Sequence, residues 1–329
     1  MGRRILDSVV DGLLPAKGLA RNPSAGEMNA VGPKFSWLWT MPVVFVLIWS
    51  TGFIVARYAM PYAPPFGFLV IRYALSIMCF IAWLSITRVA WPASGRQVLH
   101  LGVTGVLMHA GYLGGVWLAV KSGMGAGLSS LIVGVQPVLT AIWLALAGSN
   151  HKVSARQWCG LLLGFSGVVM VMSRKFVAPS PGDNVTFFNV TCALCALFSI
   201  TAGTLYQKHF VKPCDVRSAN LIQLAFALVI SLPFALFEAE KIEWNQSLVG
   251  AMAWSVIGLT LGGSSLLYLL IQRGAAASVA SLMYLVPPTT AAIAWVVFDE
   301  PVTVLTILGT VVTAVGVGLV VRPRETQAS

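Results

Sequence analysis

The chain has 329 residues, 57% of them hydrophobic and only 10% charged; a soluble domain carries about 25% charged residues, so a water-facing globular surface is excluded. The formal net charge is +10, yet the Lys and Arg residues stand in loops and at the ends of apolar runs. The dense basic stripe with interleaved aromatics that nucleic acid requires is missing, which excludes nucleic acid as a partner.

Residues 1–36 are polar and basic and read as a cytoplasmic N-terminal tail. Within it Ile5, Leu6, Val9, Val10, Leu13 and Leu14 fall at helical spacing, so a membrane-surface helix is the alternative. No cleavable signal peptide is expected, because the first full-length apolar run begins near Met41. Ten apolar runs follow, at 41–59, 66–87, 98–120, 125–147, 155–173, 187–207, 217–237, 248–271, 275–298 and 303–321. About 20 residues at about 1.5 Å rise cross a hydrocarbon core of about 30 Å. The runs are twice as long as barrel strands and do not alternate, so each is predicted to be a helix. Residues 322–329 form a C-terminal tail.

The basic residues orient the chain. With the N-terminus in the cytoplasm, inside segments hold 15 Lys and Arg and outside segments hold 5. That bias places both termini in the cytoplasm and requires an even number of spans. Of the five cysteines, Cys192 and Cys195 have the spacing of half a zinc site. No second pair and no neighbouring His completes four ligands, so no metal or other cofactor is expected.

The chain also repeats itself. Ser130-Leu131-Ile132 with Pro137 matches Ser281-Leu282-Met283 with Pro288 at an offset of 151. Gly160 and Gly167 match Gly309 and Gly316, and Ser154 matches Thr303, at an offset of 149. Arg72 falls opposite Gln223, and Ser50 opposite Ser199. The expected fold is therefore an all-α integral membrane protein of ten transmembrane helices, built as two inverted five-helix repeats at 41–173 and 187–321. Five is odd, so the second copy enters the membrane from the opposite side, an architecture recurrent among secondary transporters.

A transporter site of this kind lies near midplane, where helices are interrupted. Pro137 stands in the fourth run and Pro287 and Pro288 in the ninth, and each is expected to kink its helix. Polar and aromatic side chains collect at a similar depth: Trp49, Ser50 and Thr51, then His109 and Tyr112, Gln136, then Ser199, Thr201 and Tyr206, then Tyr268 and Tyr284. A single Ser or Thr in a membrane helix usually bonds its own backbone, so the set carries more weight than any member. Gly111-x3-Gly115, Gly160-x3-Gly164 and Gly258-x3-Gly262 are expected to be seams of close helix approach.

No Asp or Glu lies inside a run, and no nucleotide-binding, zinc-protease or nucleophile-elbow motif is present. Arg72 stands seven residues into its run, about 10 Å below the interface by helix rise. Either it snorkels outward or Asp299 and Glu300 reach it. Arg57 and Lys121 read as interface anchors. His109 is the one mid-run side chain that titrates near neutrality and is the candidate carrier of a coupled proton.

The residues from Trp49-Ser50-Thr51-Gly52-Phe53 through Arg57, with Tyr62-Ala63-Pro64-Pro65 and Arg72-Tyr73, resemble the opening of an EamA domain of the drug/metabolite transporter superfamily. Ser281 through Pro288, Asp299-Glu300-Pro301 and Gly309 to Gly316 resemble the close of its second copy. The resemblance covers residues 41–321. It implies a central cavity lined by both repeats and secondary transport, often export, of amino acids, metabolites or drugs across the bacterial inner membrane. One departure stands out: after the fourth run the acidic residue of the pattern is replaced by Ser149-Asn150-His151-Lys152.

The expected partners are thus a small organic solute, the lipid bilayer and, through His109, a proton; oligomeric state is not legible. Arg72 without an acid favours a solute bearing a carboxylate. A polytopic membrane enzyme or a lipid scramblase is the alternative. An enzyme would cluster His, Asp or Glu at one face, and a scramblase would need a polar groove open to lipid.

Overall fold

The computed structural model describes residues 37–146, 155–177, 184–272, 285–300 and 302–321. The two tails, the Ser149–Lys152 loop, Ser154 and the segment containing Ser281 and Tyr284 lie outside the described residues. The described residues form helices and connecting loops, with no strand among them.

In chain order the helices of the first half are α1 (Trp37–Ala59), α2 (Pro65–Ser85), α3 (Gly95–Gly105), α4 (Tyr112–Lys121), α5 (Ala126–Val133), α6 (Gln136–Leu146) and α7 (Ala155–Val177). The second half holds α8 (Phe187–Phe210), α9 (Val216–Phe237), α10 (Gln246–Trp254), α11 (Ser265–Gln272), α12 (Val286–Phe298) and α13 (Val304–Val321). A π-helical segment, Val106–Gly111, joins α3 to α4, and a second, Ser255–Ser264, joins α10 to α11. Among the described residues, five helical rods are long and apolar enough to cross a membrane, and five shorter apolar helices of 10–17 residues accompany them.

The helix starts follow local chemistry. Pro65 opens α2, where its missing N–H costs nothing. Ser94 caps α3 by accepting from the Gln97 amide, and Asn245 caps α10 by accepting from the Leu248 amide. Thr186 and Asn189 form a reciprocal capping box on α8. Asp299 ends α12 in the left-handed region at φ 51°, which its short polar side chain tolerates.

The fourth run differs from a simple kinked helix. It breaks at Gly134 and Val135, and Pro137 then stands in the first turn of α6. Pro287 and Pro288 stand in the first turn of α12. Proline belongs at such starts because the N–H it lacks would be unbonded there. The break in the fourth run lies against the start of α12, since a Cβ on Gly134 would meet Pro287 Cγ at 2.6 Å.

Packing joins the halves throughout. The α2 helix lies along α9, α7 along α13, α5 crosses α12, and α4 lies along α8. The α1 helix packs on the second π-helical segment, and α8 on the first. Glycine sets two of these seams. A Cβ on Gly115 would meet the Cys192 carbonyl oxygen at 2.7 Å, and one on Gly316 would meet that of Gly160 at 2.6 Å. The third expected seam is different: Gly258 and Gly262 lie within the second π-helical segment, where Gly258 faces Trp254 of its own rod.

The distribution of polarity is inverted relative to a water-soluble fold. Phe165 and Leu162 of α7 and Phe237 of α9 are more than 60% exposed. Meanwhile Ser50, Arg72, Ser76, Thr104, His109, Asn220 and Gln223 are buried. Apolar groups cover the outside because the surroundings they meet are apolar.

Candidate functional site

A cavity of about 50 Å³ lies between the halves. Trp49 and Gly52 of α1, Arg72 of α2, His109 of the first π-helical segment and Tyr112 of α4 line it from the first half. From the second half come Gln207 of α8, Asn220 and Gln223 of α9, and Tyr268 of α11.

Consecutive residues of α2 tie the two π-helical segments together. Arg72 Nε donates to Thr260 Oγ1 at 3.1 Å, and Thr260 Oγ1 donates to the Ser255 carbonyl at 2.9 Å, five residues back along the π-helical turn. Tyr73 Oη donates to the His109 carbonyl at 2.9 Å. The Tyr73 and His109 rings meet edge to face at 6.2 Å. Arg72 is 3% exposed and therefore does not snorkel. The Trp49 and Tyr112 rings lie nearly parallel, 3° apart in plane and 6.3 Å between centroids, and form one aromatic wall. Tyr268 Oη lies 3.0 Å from Cys214 Sγ. Gln223 Nε2 is buried without a hydrogen-bond partner.

Five of the residues singled out from sequence (Trp49, Arg72, His109, Tyr112 and Tyr268) share this cavity. The others are placed elsewhere. Ser50 Oγ donates to the Val46 carbonyl at 2.7 Å within its own helix, as hydroxyls in apolar helices do. Gln136 Nε2 donates to Thr204 Oγ1 at 3.1 Å where α6 meets α8. Ser199 packs on Gly111. Tyr206 Oη bonds His100 Nδ1 at 2.8 Å, with Phe210 stacked on the same imidazole. Tyr284 lies outside the described residues. Pro137, Pro287 and Pro288 stand in the first turns of α6 and α12 and are not part of the cavity wall.

Thr260 and Asn220 were not picked out by sequence reasoning, and Gln223 entered only as the repeat partner of Arg72. A signal existed: Thr260 stands 151 residues after His109, the same offset that separates Gln223 from Arg72.

Glu300 and Glu238 are held away from Arg72. Glu300 pairs with Arg57 Nη1 at 2.8 Å and accepts from the Ala126 and Gly127 amides at 3.0 and 3.4 Å. Glu238 accepts from the Phe66 and Gly67 amides at 3.0 and 2.7 Å. Each carboxylate thus caps the N-terminus of a first-half helix, where unpaired N–H groups and the helix dipole favour negative charge. Lys121 Nζ pairs with Glu240 at 2.5 Å and donates to the Met60 carbonyl at 2.8 Å. Arg57 and Lys121 therefore tie the halves together at this face rather than serving as simple interface anchors. At the opposite face Gln97 Nε2 donates to the Lys212 carbonyl at 2.8 Å, Gln97 Oε1 accepts from the Lys212 amide at 3.3 Å, and Arg217 Nη1 donates to Thr87 Oγ1 at 2.8 Å.

Comparison with known proteins agrees with this geometry. The model of the EamA-like transporter family matches residues 36–173 and again 188–322. An uncharacterized transporter of Archaeoglobus fulgidus is 25% identical over 83% of this chain and 93% of its own length. A probable amino-acid metabolite efflux pump of Salmonella typhimurium is 26% identical over 84% of this chain and 92% of its own. A crystal structure of a protein 18% identical superposes with a TM-score of 0.58, over 85% of this chain and 95% of that one, and shows a like fold. Two family matches, a helical fold with an apolar exterior and a cavity with buried polar groups between its halves together make the chain a multi-pass membrane transporter, not an enzyme, and a member of the EamA-like transporter family.

Proposed function

We propose that the protein is a secondary transporter that exports small organic solutes by alternating access, through ten membrane-spanning helices in two inverted repeats. The observation that carries the reading is the cavity between the halves, with a buried cation, amides and an aromatic wall. Equivalent features in the two halves support the repeat. Each half has a π-helical segment in its third rod and, in its fourth run, a helix with proline in its first turn. Contacts map in pairs as well: α1 on the second π-helical segment answers α8 on the first, and α2 on the second answers α9 on the first. Interrupted helices crossing between repeats are where rocking transporters place their sites.

The bias of 15 basic residues to 5 supports cytoplasmic termini in a bacterial inner membrane. The apolar outer surface argues against a scramblase, which needs a polar groove facing lipid. Relatives named as probable amino-acid metabolite efflux pumps, together with Arg72, favour solutes that carry a carboxylate, amino acids first.

The test is flux in reconstituted vesicles with a panel of amino acids, organic acids and amines, with and without a pH gradient. Acid-bearing solutes are expected to move. A preference for amines lacking any acidic group would refute the charge argument. Gradient-driven flux is expected to fall in His109→Gln; flux that survives intact would remove the histidine from coupling.

A further inference from the structure

Among the described residues no carboxylate pairs with the charge of Arg72. Its Nε is taken by Thr260, and no other hydrogen bond leaves the guanidinium among the described residues. No apolar run contains an Asp or Glu. The carboxylates nearest the membrane faces, Glu238 and Glu300, are each held on a helix N-terminus. Arginine stays protonated at physiological pH, so it cannot shed its charge as a buried Lys or His can. An ionised group removed from water without a partner is strongly unfavourable. A second observation points to the same ligand: Gln223 Nε2, on a side chain 3% exposed at the same cavity, is a donor with no acceptor.

We propose that the Arg72 guanidinium and the Gln223 amide together bind one small, singly charged anion. Between transport events it is an inorganic ion such as chloride, and during transport the solute's own carboxylate takes its place. The cavity, about 50 Å³, has room for a halide or a carboxylate group beside both side chains. Solute entry then exchanges one anion for another, and the site never holds an unbalanced cation. The carboxylate arm rests on the transport reading above, whereas anion binding itself does not.

The test is the unfolding temperature of the purified full-length protein in detergent, at constant ionic strength, as chloride, formate or gluconate is varied. Chloride and formate should each give a saturable rise of about 5 °C at about a hundred times Kd. Gluconate, whose carboxylate carries a bulky and strongly hydrated chain, should need a much higher concentration than formate for the same rise. Arg72→Gln should abolish both rises, and Gln223→Leu should weaken both about tenfold in apparent Kd. Should Arg72→Gln not fold, the Gln223→Leu titration decides alone. Equal behaviour in chloride and gluconate, or a rise unchanged in the variants, overturns the proposal. A rise with formate alone overturns the resting inorganic ion, and one with chloride alone overturns the exchange with carboxylate. Because binding is read and not flux, a normal anion response with no acid transported would fault the solute reading and leave the anion site standing.

Discussion

Arg72→Gln is expected to lower transport of an acid-bearing solute at least about a hundredfold while leaving the protein inserted and folded. A charge-assisted hydrogen bond in a desolvated site is worth about 1.5–3 kcal/mol, and each 1.4 kcal/mol is about tenfold. A planar guanidinium can offer a carboxylate two such bonds. The fold should tolerate the change, because it removes a buried cation and the protein loses only the contact to Thr260. Arg72→Lys keeps the charge but not the planar fork, and should fall between the two by roughly an order of magnitude. Initial rates in vesicles at matched protein density read the result. Wild-type rates in Arg72→Gln would remove the arginine from solute recognition.

Gly316→Leu is expected to cost most of the folded protein. On α13, a Cβ at this position would meet the Gly160 carbonyl oxygen at 2.6 Å and the Gly164 amide more closely still. Both are backbone of α7, so neither can rotate aside. Overpacking costs about 1–3 kcal/mol even where side chains can adjust. Here the helices must separate, and Gly167 and Gly309 hold the same seam. Gly318→Leu is the control two residues on, because nothing among the described residues lies within 4 Å of a Cβ there. The elution peak of detergent-extracted protein should shrink about tenfold for Gly316→Leu and stay unchanged for Gly318→Leu. Equal peaks would show that the seam is looser than the geometry implies.

Much of the fold was legible in the sequence because apolar length is a one-dimensional property. The run at 217–237 became α9 at Val216–Phe237, and that at 66–87 became α2 at Pro65–Ser85. Features that depend on a second element were harder to read. Pro137 and Pro287 suggest kinks, but whether proline kinks a helix or opens one depends on the residues before it, and Gly134 and Val135 break the run first. The π-helical segments have no composition of their own. Glu300 was legible as an acid at a membrane face. Its ligands were not, because the Ala126 and Gly127 amides come from a helix 174 and 173 residues away. In the site, depth was readable and helix face was not. Trp49 and Ser50 are neighbours in sequence, yet only Trp49 reaches the cavity wall, while Ser50 turns back to Val46.

Alternating access through the central cavity is the core of the account, and accessibility from both sides of the membrane tests it most directly. Gly52 lines the cavity, and a Cβ there makes only ordinary contact with Leu259 at 3.6 Å. A Gly52→Cys variant, with Cys79, Cys159, Cys192, Cys195 and Cys214 replaced, can be treated with a membrane-impermeant maleimide from either face of oriented vesicles. The account predicts labelling from both faces, slowed from each by a transported solute. Labelling from one face alone, whatever solute is present, would contradict it.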